Sequence, residues 1–230
     1  MAQLIELPRR PAAAVAATTE SLIITGAVDE WGRDAHLIKI LSPLLRLRWD
    51  VSVGGLQHLP ARAGALLVTN ERRLALSPLY VSWALARATN RPVRFVGRPD
   101  SAPLGAALRR FGALLSDPDE VRGALRHGEL VVMAARATSH PRHAGPVDHE
   151  LIGAAITTGV AVIPVASMSS VMGRAARAEV GASIRPRRKR RGPLADLEVA
   201  EAVQRHLQKM LDELGGVHTG MAPIDWLAEG

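Results

Sequence analysis

From Leu151 to Gly173 the chain carries no charged side chain for 23 residues, long enough to cross a bilayer as a single helix. Its internal punctuation argues otherwise. Thr157-Thr-Gly159 interrupts the run, Pro164 follows, the end is rich in serine, and the second half, Val160-Ala-Val-Ile-Pro-Val165, is β-branched. A buried helix over Leu151 to Thr158, a turn and a buried strand over Val160 to Ala166 satisfy that pattern better than one membrane span.

The same alternation of short apolar runs and helical spacing extends along the chain. Leu37, Ile38, Leu41, Leu44 and Leu45 predict an amphipathic helix over Asp34 to Leu45. Leu47, Trp49, Val51 and Val53 alternate as in a strand that enters the turn Gly54-Gly55. Further strands are predicted at Ala65 to Thr69, Pro92 to Val96, Ala113 to Leu115, Leu130 to Ala134 and Ala178 to Ile184. Helices are predicted at Leu79 to Ala88, Leu104 to Phe111 and Glu120 to Arg126. A long terminal helix is carried by Leu194, Leu197, Val203, Leu207, Met210, Leu211 and Leu214. Strands alternating with helices indicate an α/β domain with a mixed central sheet flanked by helices. The domain is expected over residues 33–216, after a flexible arm at 1–32 and before a tail at 217–230; the arm does not read as a secretory signal.

Charge is local. The chain has 29 basic and 22 acidic residues, a formal +7, but Arg185-Pro-Arg-Arg-Lys-Arg-Arg191 holds six of the basic ones. Without that run the balance is 23 against 22. Arg185, Arg187, Arg188, Lys189, Arg190 and Arg191 therefore form a candidate surface for an anionic membrane, where each contributes on the order of 1 kcal/mol. The same charges could contact nucleic acid phosphates, yet aromatics at 3% leave few side chains for base stacking and no reader motif is present. The absence of cysteine excludes disulfides, thiolate metal sites and a cysteine nucleophile.

Five short blocks recur in an order that resembles the glycerophospholipid acyltransferases, the family that includes lysophosphatidic acid acyltransferase, over roughly residues 51–214. They are Gly55-Leu-Gln-His-Leu-Pro60, Val68-Thr-Asn70-Glu71, Gly112-Ala-Leu-Leu-Ser-Asp-Pro118, Met133-Ala-Ala-Arg-Ala-Thr-Ser139 and Val160-Ala-Val-Ile-Pro-Val165. The resemblance implies a glycerol-phosphate-acyltransferase-like fold and, for an active member, an acyl thioester as donor and no other cofactor.

The polar residues of the family pattern are missing. Where the family has a general-base histidine and, five residues on, the aspartate that orients it, this chain has Glu71 and Leu76. Pro118 stands at the position of the phosphate-holding arginine of the third block. Ala135, Arg136 and Thr138 replace the glutamate, glycine and arginine of the fourth, leaving Ser139. Arg136, two residues from Thr138 on an extended segment, and Arg72 and Arg73, beside Glu71 near a helix start, are the remaining candidates for phosphate or lipid binding, with Ser139.

His140, His143 and His149, with Asp148 and Glu150, crowd a loop that also holds Pro141, Gly145 and Pro146. Their spacing matches no metal-ligand pattern, so no metal site is expected. His58 and His127 read as structural turn residues. The expectation is a non-catalytic, acyltransferase-like protein in the cytoplasm, peripheral to the inner membrane, that binds lipid or assists a protein partner. An active acyltransferase with an atypical base and acceptor is one alternative, and nucleic-acid binding through the basic loop is another.

Overall fold

A computed structural model describes residues 28–71, 76–138, 143–170, 173–185 and 192–214. They form a seven-stranded sheet covered on both faces. Helix α1 (Ala35–Arg48) leads into β1 (Asp50–Gly54), a single 3-10 turn (Leu56–His58) and β2 (Ala65–Thr69). Then come α2 (Ser77–Thr89), β3 (Val93–Val96), α3 (Gly105–Arg110), β4 (Ala113–Leu114), α4 (Pro118–Arg126) and β5 (Leu130–Ala134). The chain continues through α5 (His149–Thr158), β6 (Ala161–Ser169), β7 (Ala175–Val180) and α6 (Pro193–Leu214).

The strand order is β1-β7-β6-β2-β5-β3-β4. Strands β6, β2, β5, β3 and β4 are mutually parallel; β7 pairs antiparallel to β6 and parallel to β1, so the sheet is mixed at that edge. The central strands are buried on both faces, which is why they read as unbroken apolar runs. All five residues of β2 are buried, and Leu67 lies opposite Val132 of β5 and Ile163 of β6. The pleat divides them: Leu66 and Val68 join the core under α4, α5 and α6, while Ala65 and Leu67 join the core under α1 and α2 with Trp49, Tyr80 and Leu85.

The uncharged run from Leu151 divides into the last eight residues of α5 and the strand β6, and among the described residues no helix is long and apolar enough to cross a membrane. Gly159, at φ +75°, closes α5 in the left-handed conformation that glycine adopts without penalty.

Among the boundaries that differ from the sequence reading, three change how the chain packs. Helix α1 continues through Pro43 to Arg48, so Leu47 and Trp49 do not share a strand face: Leu47 is exposed on the helix and Trp49 is its buried C-cap. Periodicity could not choose because Leu44, Leu45, Leu47 and Trp49 fit both repeats, and the basic last turn, Arg46 and Arg48, favours the helix. Strand β7 begins at Ala175 and ends at Val180, since pairing with β6 and β1 selects Ala176, Ala178 and Val180 as its inward set; Ile184 makes only an isolated bridge to Val162.

The third concerns residues 28–32, assigned by sequence to the arm. Asp29 and Glu129 both pair with the guanidinium of Arg94, which is 0% exposed, and the Trp31 ring packs edge-on to His127 and against Gly123. A buried cation needs carboxylates, and one of the two comes from this segment. Residues 1–27 and 215–230 lie outside the described residues.

Candidate functional site

The parallel strands β2, β5 and β6 end together, and open α/β sheets present their ligand sites at such carboxyl ends. Asn70 and Glu71 follow β2 there. Asn70 is buried and both ends of its amide are engaged: Nδ2 donates to the Ser167 carbonyl at 2.8 Å, and Oδ1 accepts from the Ser167 N–H at 2.8 Å and from its hydroxyl at 3.1 Å. Thr69 adds a hydroxyl bond to the Ser167 Oγ at 2.9 Å. The clamp ties β2 to β6 immediately beside Glu71. No sequence signal marked Ser167: the apolar run that predicts the strand stops at Ala166, whereas β6 continues through Ser167 to Ser169.

The segment after β5 lies alongside. The Ala135 N–H donates to the Thr69 carbonyl at 2.7 Å and the Thr138 N–H to the Glu71 carbonyl at 3.4 Å. Arg136 is held by its backbone, its N–H donating to the Pro146 carbonyl at 2.9 Å, while its side chain is exposed. A Cβ on Gly145 would sit 2.0 Å from the Arg136 carbonyl, so only glycine lets the returning loop approach this segment. The structure thus brings Asn70, Glu71, Arg136 and Thr138 to one end of the sheet.

Glu71 is half-buried, and burial alone pushes its carboxyl above the ordinary carboxylate range. Leu76 is the N-cap residue of α2, 51% exposed, in the left-handed region at φ +51° and ψ +39°. Its carbonyl accepts the Leu79 and Tyr80 N–H groups. An aspartate or asparagine tolerates that conformation better than leucine and could also bond the free N–H groups of the first turn. Leucine does neither, and it offers no group to orient a base.

Arg72, Arg73, Ser139 and His140 lie outside the described residues, as do Arg187, Arg188, Lys189, Arg190 and Arg191 of the basic run. Arg185 is described and exposed. Of the histidine-rich loop, Asp148 caps α5 by accepting the Glu150 N–H at 3.0 Å, and the Thr138 hydroxyl bonds the His143 carbonyl. Among the described residues no group of three or more histidine, aspartate or glutamate side chains is placed to hold a metal. His58 bonds the Val180 carbonyl through Nδ1 at 2.9 Å, and His127 the Gly123 carbonyl at 3.0 Å.

No family model and no curated protein matches the sequence. Among solved structures, the fold is similar to that of the 1-acyl-sn-glycerophosphate (LPA) acyltransferase PlsC from Thermotoga maritima, with a TM-score of 0.54 and 15% sequence identity over 88% of this chain and 89% of that one. The chain has an acyltransferase-like α/β fold. At that identity the likeness is one of architecture, and each side chain at the sheet end must be judged on its own chemistry.

Proposed function

We propose that this protein is a non-catalytic member of the acyltransferase fold that binds lipid, or assists a lipid-handling partner, at an anionic membrane surface. One observation carries the reading: at the end of β2 the pair expected to work as base and orienting carboxylate is Glu71 and the exposed Leu76. A base that must take a proton from an alcohol needs a partner to hold it in place and to offset the charge it acquires. Leu76 supplies neither.

Surface chemistry supports membrane contact. On α1, Ile40, Leu44 and Leu47 are exposed at 52%, 61% and 66% and lie on one helical stripe, flanked by Lys39, Arg46 and Arg48. A helix with an apolar outer stripe and basic flanks suits the boundary between lipid headgroups and acyl chains. The six charges of 185–191 would add electrostatic attraction.

A second reading, an active acyltransferase with Glu71 as base, draws on the raised carboxyl of Glu71, since a carboxylate closer to neutrality is a better base. Incubating the protein with an acyl thioester and lysophosphatidic acid separates the two. The first reading expects transfer no faster than with Glu71→Gln or with no protein. Transfer that depends on Glu71 would establish the second. Retention on anionic vesicles and not on neutral ones, lost at high salt, tests the membrane contact, and equal retention on DNA would favour nucleic acid instead.

A further inference from the structure

Helices α1 and α2 run antiparallel. Asp34, before α1, bonds the Arg110 carbonyl at the start of the sheet, whereas Arg48, at its end, bonds the Gly173 carbonyl near the end of β6. They touch where the Trp83 indole donates to the Ser42 hydroxyl at 3.0 Å. Between them lies a groove of about 560 Å3, within the size range of ligand pockets.

Its lining combines two chemistries. Ile38, Leu79, Trp83, Ala86 and Phe111 give it apolar surface. Arg33, Lys39, Arg46, Arg87 and Arg91 also line it, and no aspartate or glutamate does. Arg91 is occupied with the carbonyls of Pro60, Ala63 and Gly128. Arg87 is held over the Trp83 ring, 4.9 Å from its centroid. None of the five makes an ion pair among the described residues. The Ser42–Trp83 contact sets the register: one turn further along are Lys39 on α1 and Arg87 on α2, on opposite walls at the same level. Two unneutralised cations facing each other across an apolar floor form a receptor for an anionic head with an alkyl tail.

We propose that this groove binds one molecule of a single-chain anionic amphiphile, its phosphate or carboxylate head between Lys39 and Arg87 and its tail along Ile38, Trp83 and Phe111. The site is separate from Glu71 and holds whether or not Glu71 is catalytic. At one end of the lining, Arg33 Nε is buried without a hydrogen-bond partner; burial and, to a lesser extent, Arg94 disfavour the charged form of Arg33, against an opposing effect of Asp29 and Glu129.

Calorimetric titration of the full chain with dodecyl phosphate and with dodecanoate, both below their micelle-forming concentrations, tests this. The expected result is saturable one-to-one binding of either, tighter than that of inorganic phosphate or neutral dodecyl maltoside by at least about tenfold. Which head binds more tightly assigns its chemistry. Lys39 and Arg87 are exposed, so Lys39→Glu and Arg87→Glu should leave the fold unchanged by circular dichroism and weaken binding by at least about tenfold each. Glu71→Gln should leave it unchanged. Equal binding by inorganic phosphate, equal binding by the neutral detergent, or insensitivity to both substitutions in folded protein would overturn the proposal. So would a loss of self-association in place of amphiphile binding, which would make the groove an interface between two copies.

Discussion

The Asn70 side chain grips the backbone of Ser167, giving one hydrogen bond to its carbonyl and taking one from its N–H, each at 2.8 Å, across the ends of β2 and β6. A residue whose backbone N–H and carbonyl are both held by one buried amide cannot shift without leaving polar groups unpaired. Asn70 therefore holds the sheet end at which Glu71 sits.

Replacing Asn70 by alanine leaves the Ser167 N–H and carbonyl without these partners. The expected loss is about 1–3 kcal/mol for each buried group left unpaired, measured by denaturant unfolding. Ser167→Ala should cost less, since it removes only the hydroxyl bonds to Thr69 and Asn70. Equal stability of Asn70→Ala and the parent would show that the clamp contributes nothing.

Glu71 titrates above its unfolded value because burial disfavours the charged form. The folded state then holds the proton more tightly than the unfolded chain, so Glu71 is harmless below the ordinary carboxylate range and costs stability as pH rises through its folded value. Glu71→Gln should accordingly be more stable than the parent at pH 7, with the advantage vanishing in acid. Thermal unfolding followed between pH 4 and 8 reads both ends of that window, and an advantage independent of pH would contradict the assignment.

Leu76 is strained in the left-handed region and half-exposed, so it loses little by replacement. Leu76→Asn should raise stability by about 1 kcal/mol, the cost of a left-handed residue that carries a bulky side chain. A midpoint unchanged or lowered in urea would show that the Leu76 side chain is held by contacts that outweigh its backbone strain.

Arg94 is fully buried with Glu129 and Asp29 as its partners. Arg94→Met strands both carboxylates and should destabilise by about 3–5 kcal/mol, whereas adding Glu129→Leu should recover a large part of that loss. Asp29 itself is held below the ordinary carboxylate range: burial opposes this, but the Arg33 N–H and the Arg94 guanidinium prevail. The stability it contributes is present above its unfolded value and lost as pH falls through its folded one, so the parent and Asp29→Asn should converge in acid.

The central strands were legible because burial on both faces leaves an unbroken apolar run: Leu130–Ala134 matches its predicted bounds, and Ala65–Thr69 does as well. Helix α1 was harder, since Leu47 and Trp49 satisfy a period of two as well as a helical stripe. The candidate site was legible at Asn70, Glu71 and Leu76 only through the order of the five blocks. Ser167, Gly145 and the α1–α2 groove were not, because their roles depend on chain segments that meet only in the fold.

Local physics in the sequence determined the alternation of strands and helices, the absence of a cysteine chemistry and the concentration of positive charge at 185–191. Those properties depend on residue type and short-range spacing. Which strands lie together, that Glu71 is half-buried while Leu76 faces solvent, and that Lys39 and Arg87 line one groove were decided by tertiary structure. Burial and opposition between distant side chains arise from packing, and packing is a property of the whole chain.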